Sequence, residues 1–123
     1  MIKTKHNTIW IDEEGFLVVK ADEKVELDIN EIKACFEAYK QLGINPQHKV
    51  LQILDVRDIL IDSEARHYVA EVGKDYFLAS AIISGSLAVR ILANFFGPFT
   101  NNAVPYKMFP NEEEARAWLR TFK

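Results

Sequence analysis

The stretch VLQILDV, at residues 50–56, decides the fold because it is the strongest strand pattern in the chain. Its β-branched and aliphatic residues favour an extended, buried conformation. Segments with helical spacing of apolar residues lie on both sides of it, between this stretch and further strand patterns. A helix between two strands is the usual crossover of a parallel pair. The stretch therefore predicts an interior strand of a parallel sheet.

Two strand patterns near the start of the sequence predict a β-hairpin. Residues 8–12 and 16–21 are rich in β-branched and aromatic side chains, and Gly15 stands in the acidic turn between them. Apolar residues are continuous at 16–19. We therefore expect the second strand to be buried on both of its faces.

Two helices are predicted on either side of the central strand. The first begins after Asp28, whose carboxylate can cap the first turn, and Glu31 follows three positions later, as in a capping box. The second begins at Asp62 or Ser63, either of which can be the N-cap, and runs to about Gly73.

The rest of the chain continues the alternation of strands and helices. Residues 77–83 predict an interior strand, residues 84–86 begin a third helix, residues 104–109 predict a last strand, and Asn111 caps a final helix. The order β-β-α-β-α-β-α-β-α predicts one α/β domain over residues 1–123. Its sheet is expected to be mixed and mostly parallel, with about five strands and about four helices.

Composition excludes several classes of protein. The chain has 123 residues, a formal net charge of −3 and one cysteine. An acidic chain argues against nucleic-acid binding, which needs clustered Lys and Arg. A single cysteine excludes an internal disulfide framework and a multi-cysteine zinc site, and the histidines are scattered. We therefore expect no metal site and no cofactor.

The charges are unevenly distributed along the chain. Between Tyr76 and Tyr106 the only charged residue is Arg90, which indicates burial in the core or against a partner. The charge-free part at 76–89 is shorter than the roughly 18–20 residues of a membrane span, so we do not expect an integral membrane protein. The first residues lack an apolar signal segment, which favours the cytoplasm, with Cys35 as a reduced, buried and inert thiol.

Three stretches together resemble one family. At 54–63 a strand that ends in Leu-Asp is followed by an apolar pair and by Asp-Ser at a helix start. At 81–92 a strand leads through Ser-Gly into a helix, and at 109–119 a last strand leads into a helix that contains a Glu-Ala pair. Their order resembles the STAS family, the sulfate-transporter and anti-sigma-factor-antagonist domain, whose fold is also called SpoIIAA-like. With residues 93–96, the third stretch is similar to a bacterial branch of uncharacterised STAS-like proteins, and the pattern borders on the CRAL-TRIO lipid-binding fold.

The resemblance implies a non-enzymatic regulatory or protein-interaction module. In anti-sigma-factor antagonists, the serine that matches Ser63 is phosphorylated by a kinase that is also the binding partner. A phosphate at a helix N-terminus meets free amides, and it would add about −1.5 to −2 charges to a docking surface. This sequence departs from the family pattern at Glu64, which would repel a phosphate. The alternative is that Asp62 or Ser63 serves only as an N-cap.

Six polar residues are further candidates for contact with a ligand or partner. Three lie at the carboxyl end of a predicted parallel strand, where ligands bind in open α/β sheets; two are serines at a predicted helix start, which could hold an anion; and the sixth is the only arginine of the uncharged stretch. The six are Asp55, Arg57, Asp58, Ser84, Ser86 and Arg90. The first three could instead form a surface turn with a local ion pair. Arg90 could contact an anion near the two serines, or it could pair with an acidic residue of another element.

Two alternative functions stay open at this point. Phe95, Phe96 and Phe99 could line a pocket for a small apolar, lipid-like ligand or a nucleotide, although phenylalanine at helical spacing is also typical of a core. The uncharged stretch could instead be the interface of a structural homodimer. The partners expected from the sequence are therefore a protein such as a kinase-type regulator, a second copy of the chain, or a small apolar ligand.

Overall fold

The computed structural model describes residues 1–22, 25–56, 60–84 and 104–123. Within them the chain forms strands β1 (Ile2–Lys3), β2 (Asn7–Ile11), β3 (Leu17–Ala21), β4 (Glu26–Leu27), β5 (Val50–Asp55), β6 (Leu60–Ile61), β7 (Phe77–Ile83) and β8 (Tyr106–Phe109), and helices α1 (Ile29–Gln41), α2 (Ser63–Gly73) and α3 (Glu112–Arg120). The helix predicted after Ser84 lies outside the described residues.

A mixed six-stranded sheet forms the centre of the domain, in the order β1-β2-β3-β5-β7-β8. β1, β2 and β3 are antiparallel neighbours, whereas β3, β5, β7 and β8 run parallel. β4 and β6 form a separate two-stranded parallel sheet. This arrangement confirms the predicted α/β domain with a mixed, mostly parallel sheet and β5 in its interior. β1 is an additional edge strand.

The hairpin of β2 and β3 forms as predicted. Gly15 has a left-handed backbone with φ 83°, and the Asp12 carboxylate accepts hydrogen bonds from the backbone N–H groups of Glu14 (2.9 Å) and Phe16 (3.0 Å). Such side-chain bonds to the following backbone are the reason that Asp favours turns. Residues 16–19 are each at most 3% exposed, which confirms their burial on both faces.

Helices cover both faces of the sheet. α1 and α2 lie over one face, where the Phe36 ring packs against the rings of Tyr39, Tyr68 and Phe77 at centroid distances of 5.0–5.8 Å. α3 covers the other face, where Ala115 and its neighbours pack against β5 and β7. Burial of both faces is what a largely parallel sheet requires. Among the described residues, no helix is long and apolar enough to span a membrane.

Each described helix begins at a predicted cap. The side chains of Asp28, Asp62 and Asn111 accept hydrogen bonds from the backbone N–H three residues later, at 2.8–2.9 Å. Asp62 is therefore the N-cap of α2, and Ser63 is the first residue of the helix. After α1, Gly43 has a left-handed backbone with φ 87°, as is common just beyond a helix C-cap.

Leu78, in β7, departs from the burial expected for the uncharged stretch. Leu78 is 50% exposed, because β7 pairs with β5 through a register shift. Val50 lies opposite Phe77 and Leu51 opposite Ala79, so that Leu78 is the extra residue of a β-bulge. An extra residue of this kind has no cross-strand partner, and its side chain is left at the surface.

Candidate functional site

The carboxyl ends of the parallel strands meet at one edge of the sheet, which is where ligands bind in open α/β folds. Asp55 is the last residue of β5 and lies opposite Ile83, the last residue of β7. Ser84 follows directly, and its backbone N–H donates to the carbonyl of Phe109 at 3.0 Å. The structure therefore places two of the six predicted polar contacts, Asp55 and Ser84, at neighbouring strand ends.

Seven further residues predicted to contact a ligand or partner lie outside the described residues: Arg57, Asp58, Ser86, Arg90, Phe95, Phe96 and Phe99. The pocket and the anion site predicted from them therefore stay predictions. Within the described ranges, no group of three or more His, Cys, Asp or Glu side chains is placed to hold a metal ion.

Ser63 lies at the same edge of the sheet, because α2 follows β5 and leads back to the parallel strand β7. It is the first residue of the helix and is exposed. The guanidinium Nη2 of Arg66, one turn later, donates to the Ser63 Oγ at 3.3 Å. These two residues and His67 line a shallow depression of about 240 Å³.

The charges around Ser63 are mixed. The start of α2 presents backbone N–H groups and the positive end of the helix dipole. Arg66 adds a guanidinium, which can bind phosphate oxygens through two parallel hydrogen bonds. Glu64 is exposed beside Ser63 and adds a negative charge that opposes an anion. The depression therefore offers two features that bind a phosphoryl group and one that repels it.

A second polar cluster, at the start of α1, was missed by the sequence analysis. Glu31 is only 5% exposed, and its Oε2 accepts hydrogen bonds from the Thr4 hydroxyl (2.6 Å), the His6 backbone N–H (2.9 Å) and the Asn7 side-chain amide (2.6 Å). The carboxylate therefore contacts the turn between β1 and β2, whereas the capping-box interpretation directed it to the helix start. Its donors lie 24 to 27 positions away in the sequence, so no local spacing rule predicts the cluster.

An open groove of about 510 Å³ lies beside this cluster. One side is lined by residues 2–6, and the other by α1 and its cap, from Asp28 to Gln41. Because Asn7 lies opposite Ala21, the last residue of β3, the Glu31 cluster is also at the carboxyl end of a parallel strand. The groove and the Ser63 depression thus lie along one edge of the sheet.

Two buried titratable groups of α1 face the sheet. Burial, reinforced by the nearby Glu31 carboxylate, raises the pKa of the Cys35 thiol to about 12. Cys35 is buried, as predicted. Since the thiolate is the reactive form, the raised pKa agrees with an inert thiol. Burial also raises the pKa of the Tyr39 hydroxyl well above its ordinary value, against the opposing effect of a hydrogen bond with Gln52.

Comparison with known proteins identifies the family. Residues 9–123 match the model of a domain of unknown function, DUF7793. The chain belongs to this family. No curated protein matches the sequence. Among solved structures, the chain is similar to an uncharacterized protein of the DUF3478 family from Shewanella loihica PV-4, which has a SpoIIAA-like fold. The two are 18% identical, with 97% of this chain and 98% of the other covered and a TM-score of 0.67.

The structural likeness confirms the SpoIIAA-like fold expected from the sequence. The DUF7793 match begins at Ile9. It therefore includes Ser63 and Glu31, but it does not include the turn between β1 and β2. Glu31 thus joins the part of the chain shared with the DUF7793 family to a segment that lies outside the match.

Proposed function

We propose that this DUF7793 domain is a non-enzymatic protein-interaction module of STAS type, in which phosphorylation of Ser63 switches binding at the start of α2. The observation that carries the proposal is the position of the Ser63 hydroxyl. It is exposed, at a helix N-terminus, and 3.3 Å from the guanidinium of Arg66. The SpoIIAA-like fold supports the proposal, because regulatory STAS domains share it.

Modification of Ser63 is compatible with an intact helix. Asp62 provides the cap by accepting from the backbone N–H of Ala65 at 2.8 Å, so the Ser63 hydroxyl has no capping role. A kinase must reach this hydroxyl, and Ser63, Glu64 and Arg66 are all exposed. The start of α2 is therefore accessible to a modifying enzyme and to a binding partner.

Phosphorylation would change the charge of this surface. In the unmodified domain the charges of Glu64 and Arg66 nearly cancel. A phosphoserine carries about −1.5 to −2 charges at neutral pH. Arg66 would neutralise part of this charge, and Glu64 would add to the rest. A partner that docks on the unmodified, nearly neutral surface would then be released, since like charges across an interface oppose binding.

The partner implied by this proposal is a kinase-type regulator that binds the α2 surface and modifies it, as in the antagonists that the sequence resembles. The proposal places both proteins in the cytoplasm. A kinase has ATP there, and a single buried thiol such as Cys35 stays reduced in that compartment.

Mass spectrometry of the protein from its native cells, and after incubation with candidate kinases and ATP, tests the modification. We expect one phosphate on the peptide that contains Ser63, and none in Ser63→Ala. Absence of phosphate from Ser63 under every condition would reject the switch.

Binding to the kinase tests the effect of the charge. Ser63→Asp and Ser63→Asn match in size and differ in charge. We expect the first to weaken binding by roughly tenfold or more and the second to leave it nearly unchanged. Equal affinities of the two variants, measured by calorimetry, would contradict release by negative charge.

A further inference from the structure

The first six residues of the sequence form a strap (residues 1–6) along the edge of the sheet. Within it, β1 pairs with β2 through only two residues, with Ile2 opposite Ile9 and Lys3 opposite Thr8. The open groove separates part of this segment from α1. Ile2 packs against the core, and Lys3 forms an exposed ion pair with Asp22 at 3.5 Å. The ladder itself is short and lies above an open groove, so the turn that joins β1 to β2 carries much of the strap's attachment.

This turn has unfavourable residues for a tight hairpin. Thr4 and Asn7 close it, through the Thr4 backbone N–H and the Asn7 carbonyl at 2.9 Å, and Lys5 and His6 are its central residues. Two-residue turns favour Asn-Gly, Asp-Gly or another pair with glycine. Glu31 supplies the missing support, because three donors from this turn converge on its Oε2. Hydrogen bonds to a buried carboxylate are strong and specific in geometry.

The pairing register also permits a second arrangement of the strap. If the turn became extended, β1 and β2 would join into one longer strand. In two copies related by a two-fold axis, β1 of each copy could then pair with β2 of the other. Ile2 would lie opposite Ile9 and Lys3 opposite Thr8 of the other copy, and the ladder would extend through the residues of the former turn. Exchange of an element across a short hinge is a low-cost route to a dimer.

We propose that the edge of β2 is a self-association surface whose partner is the strap of a second copy, and that Glu31 holds the strap on its own chain. When the strap leaves, the Asn7 amide stays in β2 and keeps its bond to Glu31. The groove beside Glu31 is open, so water can replace the donors of Thr4 and His6, and opening does not create a dry, unpaired charge. Glu31 thus stabilises the closed monomer relative to the strand-exchanged dimer by positioning the strap. The residues of this surface differ from those of the uncharged stretch at 76–106, the dimer interface predicted from the sequence.

Sedimentation of Glu31→Ala across a range of concentrations tests the proposal. We expect its dimer dissociation constant to be lower than that of the natural sequence by roughly tenfold or more. This change corresponds to the loss of one charge-assisted hydrogen bond from the closed monomer. Glu37→Ala is the matched control, since Glu37 is an exposed carboxylate of the same helix, and it should leave the constant unchanged. Lys5→Asn with His6→Gly creates a favourable tight turn and should return Glu31→Ala to the monomer.

Paired cysteines distinguish strand exchange from any other dimer. With Lys3→Cys and Thr8→Cys added to Glu31→Ala, a closed strap forms the disulfide within one chain, whereas an exchanged strap links two chains on a non-reducing gel. We expect linked chains; buried Cys35 takes no part. Thr4→Val, which removes one donor, is the milder variant if Glu31→Ala does not fold, and it should shift the equilibrium in the same direction. Monomers at every concentration, or dimers whose disulfides stay within each chain, would overturn the proposal.

Discussion

Asp62 and Ser63 are neighbours with different roles at the start of α2. The Asp62 carboxylate accepts from the Ala65 backbone N–H at 2.8 Å and caps the helix. The Ser63 hydroxyl is exposed and accepts from Arg66 at 3.3 Å. Asp62 therefore stabilises the start of the helix, and Ser63 offers the hydroxyl for modification. Phosphorylation of Ser63 can then act without loss of the N-cap.

Asp62→Ala should lower the free energy of unfolding by about 1 kcal/mol, because the Ala65 N–H loses its acceptor. Asp62→Asn keeps a capping oxygen and should cost much less. Ser63→Ala should change the free energy of unfolding by less than about 0.5 kcal/mol. Urea unfolding followed by circular dichroism measures all three. A loss for Ser63→Ala equal to that for Asp62→Ala would assign Ser63 a structural role instead.

α3 is attached to the turn of the β2–β3 hairpin by several ionic contacts. Arg116 pairs with Asp12 at 2.7 Å, and Arg120 pairs with Glu14 at 2.6 Å. The hydrogen bond from Arg120 is the main reason that the pKa of Glu14 lies below its ordinary value. The Arg120–Glu14 pair is partly exposed, and such pairs are individually weak, whereas the Arg116–Asp12 pair is more buried. Their convergence on one turn nevertheless ties the helix to the far end of the hairpin.

The stability of this attachment should depend on pH. Because the pKa of Glu14 is lower in the folded protein than its ordinary value of 4.5, its contribution is present above pH 4.5 and is lost as the pH falls through the lower folded pKa. Glu14→Gln should therefore be less stable than the natural sequence at neutral pH, and the difference should vanish in strong acid. Urea unfolding over a series of pH values measures this, with Glu113→Gln, an exposed carboxylate of α3, as the control. A difference that is constant with pH would indicate that Glu14 acts through packing.

At the scale of the whole molecule, local signals predict most of the architecture. Caps and turns depend on a few adjacent residues, so Asp28 and Gly15 were predictable, and the interior strands were predictable from continuous apolar runs. The two-residue strands β1, β4 and β6 have no periodicity and form only because a neighbouring strand is present. The strand-end rule predicted the place of Asp55, and the end of the strand pattern predicted that Ser84 follows β7. The Glu31 cluster was missed because its contacts join distant parts of the chain.

A buried polar chain crosses the domain and joins α1 to the two central strands. The Ser80 hydroxyl of β7 donates to the Oε1 of Gln52 in β5 at 2.8 Å. The same Gln52 side chain interacts with the Tyr39 hydroxyl of α1 and lowers its pKa, against the larger effect of burial. All three residues are at most 8% exposed. These polar contacts join three elements that otherwise pack through apolar side chains. Removal of one side chain therefore leaves a buried polar group of a neighbour without its partner.

Ser80→Ala should lower the free energy of unfolding by about 1–3 kcal/mol, because Gln52 keeps a buried oxygen that has lost its donor. That loss is large beside the roughly 5–15 kcal/mol by which domains are stable. Thr121→Ala is the matched control, since it removes an exposed hydroxyl that donates to a carbonyl at 2.6 Å, and it should cost about 0.5 kcal/mol or less.

Tyr39→Phe, Gln52→Leu and Ser80→Ala combined should cost less than the sum of the three single changes, because no polar group is then left without a partner. Strictly additive losses in urea unfolding would show that the three side chains act independently and that the layers are coupled through apolar packing alone.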